Sequence, residues 1–232
     1  RILVKVYMST QERLFSTRQL FSQYLRQMHH FGVDRFFWTL PEPKPGGSAF
    51  FATAGQVDSA ARESKQAALE ALKPTVLTCT KCPLHTRRTN GVFGQGNPAA
   101  DLVFVGEAPG YYEDKKGEPF VGRAGDLLTK IIGAMKLTRE DIYICNVIKC
   151  RPPENRDPNT EEIASCEPYL IEQLNIIQPK VICAMGRFAT QTLLKNTAPV
   201  SRQRGQWKEY QGIPLMPTFH PAYLLRNPED KR

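Results

Sequence analysis

At 232 residues with 41% apolar composition, the chain is long enough for one large packed domain, or for one domain with an appendage. It has no apolar run of about eighteen residues and no charged-then-apolar leader, which argues against membrane spanning and export and for a cytoplasmic location. A net charge of +8 favours an anionic partner such as nucleic acid, although solvated lysine faces alone produce the same value.

The chain opens on Arg1, with Met8-Ser9-Thr10-Gln11 a better coding start, and closes on Asn227-Pro228-Glu229-Asp230, a helix start with little helix after it. A fragment is therefore expected. From about Thr10 to Phe31, Leu14, Phe15, Leu20, Phe21, Tyr24, Leu25 and Met28 recur at three- and four-residue spacing, predicting an amphipathic helix in an N-terminal extension over 1–40. Pro41, Pro43, Pro45, Gly46 and Gly47 then break regular structure. They open a linker over 41–74, within which the Ala-rich stretch Asp58 to Leu72 forms a possible helix with a thin apolar face. The main domain is expected over 75–232.

In that domain, apolar runs of strand length (Leu102 to Val105, Ile142 to Ile148, Val181 to Met185, Ile213 to Met216) are separated by helical patterns. The patterns cover Gly125 to Met135, Glu161 to Ile177 and Phe188 to Leu194. Strand and helix alternating in this way predict right-handed crossovers and an α/β fold: three layers, α/β/α, around a central, mainly parallel four-stranded sheet. Open parallel sheets bind ligands beyond the carboxyl ends of their strands. The polar clusters fall there: Gly106 to Gly110 after the first strand, Asn146 at the end of the second, Gly186 and Arg187 after the third, and His220 after the fourth.

Six cysteines in such a chain are not read as a disulfide framework. Cys145 and Cys183 lie inside apolar strands as small hydrophobes. Cys79 and Cys82 make a C-x2-C pair followed by Pro83, and with Cys150 and Cys166 they supply four thiols for a metal. Structural zinc usually takes two tight pairs and only one pair is tight here, while four thiolates are also what a [4Fe-4S] cluster requires, so spacing leaves both open.

The loop from Gly106 to Asp114 lacks the glycine spacing of a dinucleotide or triphosphate cradle. Glu107 either activates a water or caps a turn. Phe120 reads better as a core aromatic than as a stacking platform when taken alone. Asn146, an amide among apolar strand residues, either satisfies nearby backbone or presents a donor and an acceptor to a ligand edge. His220, held before Pro221, gains a catalytic reading from its company with Glu107 and Asn146. Lys115, Lys116, Arg123, Lys149, Arg151, Arg156, Arg202, Arg204 and Arg226 add positive charge near the same edge.

Six segments in order resemble the iron-sulfur (family 4) uracil-DNA glycosylases. They are Cys79-Thr80-Lys81-Cys82-Pro83-Leu84; Gly106-Glu107-Ala108-Pro109-Gly110 with Glu113-Asp114; and Pro119-Phe120-Val121-Gly122-Arg123-Ala124-Gly125. The others are Asn146-Val147-Ile148-Lys149-Cys150-Arg151-Pro152-Pro153, Cys166-Glu167-Pro168-Tyr169-Leu170 and His220-Pro221-Ala222-Tyr223-Leu224-Leu225. The likeness covers about Thr75 to Asn227.

The resemblance implies a monofunctional enzyme that flips uracil out of single- or double-stranded DNA and cuts its N-glycosidic bond, leaving an abasic site for base excision repair; a monomer is expected. It implies a structural [4Fe-4S] cluster on Cys79, Cys82, Cys150 and Cys166. By the same likeness Phe120 stacks on the uracil, Asn146 reads N3 and O4, His220 bonds O2, and Glu107 lies in the water-binding motif. Gly106, Ala108 and Glu113 belong to the substrate-binding motif, Lys149 and Arg151 to the DNA-binding surface, and Leu224 or Tyr223 is the side chain pushed into the duplex. Ala108 stands where some branches of the superfamily carry a water-activating aspartate. A low-turnover DNA-lesion or replication-partner binding module on the same fold, and an enzyme of free nucleotides, are the rival readings.

Overall fold

The computed structural model describes residues 57–231. The N-terminal helix expected over Thr10 to Phe31 and the Pro/Gly-rich stretch after it lie outside the described residues. Helix α1 (Val57–Leu77) comes first and continues past position 75, where the main domain was expected to begin. Its face is not too thin to pack: Leu69, Leu72 and Val76 are buried in the domain core, and Lys65 Nζ donates to the carbonyl of Ile177 at 2.7 Å.

Among the described residues six strands form one sheet: β1 (Gln95–Gly96), β2 (Leu102–Gly106), β3 (Tyr143–Asn146), β4 (Val181–Met185), β5 (Lys208–Tyr210) and β6 (Ile213–Thr218), in the order β1-β3-β2-β4-β6-β5. The central four, β3-β2-β4-β6, are parallel and correspond to the apolar runs. The four-stranded expectation missed two antiparallel edge strands, β1 against β3 and β5 against β6. Each is only two or three residues long and has no apolar alternation to reveal it.

The helices between the strands are α2 (Tyr111–Lys116), α3 (Arg123–Ala134), α4 (Thr160–Ile177), α5 (Gly186–Leu194) and α6 (Val200–Gln203), and α7 (Pro221–Arg226) follows β6. Successive strand residues point to opposite faces, and the core divides accordingly. Val103, Val105, Cys145, Ile182, Ala184 and Leu215 pack with α1, α4 and α5. Leu102, Phe104, Ile144, Cys183, Met185 and Met216 pack with Leu128, Ile132 and Met135, from α3 and the turn that ends it. Helix α4 starts at a reciprocal cap: the Asn159 side chain accepts from Glu162 N–H, and the Glu162 carboxylate accepts from Asn159 N–H. The cap fixes the start of the helix that carries Cys166.

Candidate active site and cysteine pocket

Four parallel strands ending at the same edge bring the distant polar segments together. In the β2–β3 register Gly106 is paired with Asn146, so the first and second motifs start side by side. Beyond the strand ends lies a cavity of about 680 Å³, lined by Glu107, Ala108, Glu113, Phe120, Asn146 and His220 among others. That volume suits a small planar ligand with part of its backbone. Gly106 sits beneath this group. A methyl group at Gly106 would stand 2.4 Å from Asn146 Oδ1 and 2.7 Å from Phe120 Cζ, so only glycine lets the amide and the ring approach the strand end.

The Asn146 amide is buried, and its Oδ1 has no hydrogen-bond partner. An orphaned buried acceptor costs about 1–3 kcal/mol, so an amide left in this state at a pocket wall is poised for a donor from a ligand. His220 caps α7: its Nδ1 accepts from Ala222 N–H at 3.1 Å. That bond fixes the neutral tautomer with the proton on Nε2. Burial, with a smaller push from Arg226, lowers the His220 pKa to about 4, so the ring is uncharged at neutral pH. It lies over Phe120, with ring centroids 5.4 Å apart and planes 29° off parallel.

Phe120 is both core and pocket wall, and it holds a left-handed backbone (φ 54°) that costs a non-glycine residue strain. Two charged groups hold the loop in that shape. Glu113 Oε1 accepts from Val121 N–H (3.0 Å) and Gly122 N–H (3.2 Å), while its Oε2 accepts from Gly110 N–H. Arg139 donates to the carbonyls of Pro119 (2.7 Å) and Phe120 (3.3 Å) from the other side. Both Glu113 oxygens are therefore occupied by backbone, and its place in the site is to position the Phe120 loop. Arg139 was not singled out in the sequence.

Glu107 lines the cavity with its carboxyl pushed up to about 7. Burial is the main cause, Asp157 adds to it, and Arg187 and Arg226 oppose it. Arg156, Arg187 and Arg226 also line the cavity, together with Asp157. Arg187 is paired with Asp157 (2.5 Å), and Arg156 makes two bonds to the buried Glu162 (2.9 and 2.6 Å).

Two expected surface residues are not at the surface. Lys149, expected to contact DNA, is 1% exposed, and its Nζ donates inward to the Asn146 carbonyl (2.8 Å) and to Gln173 Oε1 (2.5 Å). Leu224, expected as a duplex wedge, is 6% exposed on α7, which packs against α3. Tyr223, the alternative wedge, is half-buried at the cavity; its hydroxyl donates to Asp230 Oδ2 (2.5 Å) and its ring packs on Phe219. Arg151 is half-buried, with Nε on Asn155 Oδ1 (2.7 Å).

Cys79, Cys82, Cys150 and Cys166 line one small pocket with Lys81, Lys149 and Tyr169. Three of the sulfurs have an N–H pointed at them: Lys81 N–H at Cys79 (3.4 Å), Lys149 N–H at Cys166 (3.2 Å) and Arg88 Nη1 at Cys150 (3.0 Å). Arg88 also donates to the Leu77 carbonyl (2.6 Å), tying α1 to this pocket. Burial pushes the thiols of Cys82 and Cys150 up, and that of Cys166 to about 11. Among the described residues, no three metal-binding side chains converge to hold a single ion. Gln173 was not singled out in the sequence either, although it breaks the α4 apolar stripe of Cys166, Leu170, Leu174 and Ile177 and that break is a signal that could have found it. Arg88 carried no such signal.

Comparison with known proteins agrees with this geometry. The family model of the uracil DNA glycosylase superfamily matches residues 93–232. A type-4 uracil-DNA glycosylase of Thermotoga maritima is 48% identical over 166 residues, covering 71% of this chain and 86% of that protein. Proteins of the same name from Sulfurisphaera tokodaii and Archaeoglobus fulgidus are each 47% identical, over 69% and 66% of this chain and 77% and 81% of their own lengths. The chain belongs to the uracil DNA glycosylase superfamily and, within it, to the type-4 uracil-DNA glycosylases.

Proposed function

We propose that this chain excises uracil from DNA by hydrolysing the N-glycosidic bond and leaves an abasic site. The observation that carries this reading is the buried, unpartnered Asn146 Oδ1 on the wall of a cavity that Glu107, Phe120 and His220 share. Uracil offers an N3–H donor beside an O4 acceptor, which an asparagine amide matches with its oxygen and nitrogen. Cytosine offers an acceptor at N3 and a donor at the exocyclic amine, so it leaves the buried amide unsatisfied.

The base must leave the stack to reach such a pocket, at a cost of a few kcal/mol that the enclosed site repays. Bond cleavage places negative charge on the departing base, and a donor fixed in advance at its O2 lowers that barrier. His220, neutral and protonated on Nε2, is that donor. Glu107 is the group that accepts a proton from the attacking water. Incubation with a uracil-containing oligonucleotide followed by alkali tests the reading: strand scission at uracil and nowhere else is expected, and an intact strand would refute it.

A general base must be unprotonated, and Glu107 loses its proton near pH 7. The rate of uracil release is therefore expected to rise with pH through about 7 and then level off, while His220, neutral above about 4, adds no acid limb in that range. In Glu107→Gln this limb should vanish and the rate fall by about 10²- to 10⁴-fold. A Gly106→Ala variant tests the close approach. Its methyl group displaces Asn146 or Phe120, so a fall in activity of about tenfold or more is expected, with the protein still folded by circular dichroism.

The four cysteines line one pocket and supply the four thiolates that a [4Fe-4S] cluster takes, the group that membership of the type-4 family favours. Cys79, Cys82, Cys150 and Cys166 would hold it, and the N–H groups of Lys81 and Lys149 and the Arg88 guanidinium would support its sulfurs. When bound, it supplies a staple between the C-x2-C loop, the exit of β3 and α4. We place the protein as a monomer in the cytoplasm, where DNA is accessible and the free cysteines stay reduced. Among the described residues no helix is long and apolar enough to cross a membrane.

A further inference from the structure

Tyr111 and Tyr112 are the large hydrophobic side chains left exposed among the described residues, at 48% and 60%. They are not scattered over the surface. Both open α2 immediately after Gly110, which lines the cavity, and their rings meet edge to face with centroids 5.4 Å apart. A methyl group at Gly122 would stand 3.2 Å from Tyr112 Cδ2, so the second ring flanks the Phe120 loop. The Arg151 guanidinium lies 5.0 Å from the Tyr111 ring centroid, and Lys115 Nζ lies 5.9 Å from it. Arg151 is in turn bonded to Asn155, which lines the same cavity.

Leaving two aromatic rings in water has no use for folding, and neither ring caps the core. Exposed aromatics next to cations that track a phosphate backbone are the recurrent surface for single-stranded nucleic acid, because every base has a face to stack. We infer that Tyr111 and Tyr112, with Arg151 and Lys115, form a stacking platform for a nucleotide flanking the one in the cavity. The platform holds unpaired DNA and reads no sequence. This inference rests on the uracil-excising reading of the adjacent cavity, and it deepens that reading by assigning the chain a contact with unpaired bases outside the pocket.

The test uses the full chain and a fluorescein-labelled oligothymidylate that contains no uracil, followed by fluorescence anisotropy. The Tyr111→Ala/Tyr112→Ala double variant is expected to bind about tenfold more weakly, and Tyr111→Phe/Tyr112→Phe to stay within about twofold of the parent, since stacking needs the ring and not the hydroxyl. No cation is lost in either variant, so the slope of log Kd against log salt should be unchanged, in contrast to Arg151→Ala, which should reduce it. Equal binding by the parent and the alanine variant would overturn the platform and leave the rings to a protein partner or to solvent. A phenylalanine variant as weak as the alanine variant would also overturn it. Uracil release is assayed separately, so a protein that binds thymidylate through these rings but releases no uracil would defeat the enzymatic reading alone.

Discussion

Asn146→Ala is expected to lower kcat/KM for uracil release by about 10²- to 10³-fold while leaving the melting temperature at or slightly above that of the parent. The two effects separate because the amide serves the ligand and not the fold. Its Oδ1 is buried without a partner, so truncation removes an unsatisfied acceptor at the cost of a small void. Were the residue a structural amide, truncation would instead cost stability and spare the chemistry. Asn146→Asp sharpens the test. The carboxylate keeps an acceptor for N3–H but loses the donor for O4, so the ratio of uracil to cytosine release should fall. Thermal melts and parallel assays on matched uracil and cytosine oligonucleotides check both statements; unchanged base preference in the aspartate variant would remove Asn146 from base reading.

The central sheet was legible because its strands are buried on both faces and therefore read as continuous apolar runs. The site followed from it, since parallel strands deliver their carboxyl-end residues to one edge whatever their separation in sequence. The edge strands were not legible: Gln95–Gly96 and Lys208–Tyr210 are too short to carry a period, and they pair only because a neighbouring strand offers free backbone groups. The clamp on Phe120 was hidden for another reason. Arg139 binds the carbonyls of Pro119 and Phe120, atoms that every residue has, so no side-chain pattern announces the contact. Leu224 sits in a six-residue helix whose inward face is set by contact with α3, not by its own spacing. Lys149 misled most directly, because a lysine between an active-site motif and a cysteine reads as a surface cation. Its direction is set by Gln173 on α4, 24 positions away.

That inward lysine gives the second large effect, and its sign depends on the cysteine pocket. Lys149 Nζ has two acceptors, the Asn146 carbonyl and Gln173 Oε1, and neither is charged. An ammonium buried with neutral partners alone is costly, so in protein stripped of iron Lys149→Met is expected to leave stability unchanged or to raise it. The cluster proposed for the four cysteines would bring net negative charge to a pocket that Lys149 lines, where the Arg88 guanidinium already meets Cys150 Sγ and the Lys149 amide meets Cys166 Sγ. In iron-loaded protein the same substitution removes one of the two cations beside that charge, leaving the Arg88 guanidinium on Cys150, and a loss of stability is expected in place of the neutral or favourable effect. The brown colour should also bleach faster under a chelator. Cys166→Ser provides the reference, losing colour outright and with it the staple between β3 and α4. Denaturant melts of loaded and stripped protein, parent beside variant, decide the matter: a Lys149→Met variant that is equally destabilised in both states would show a lysine that serves packing alone, whereas opposite signs follow only if the ammonium answers the charge of the cysteine site.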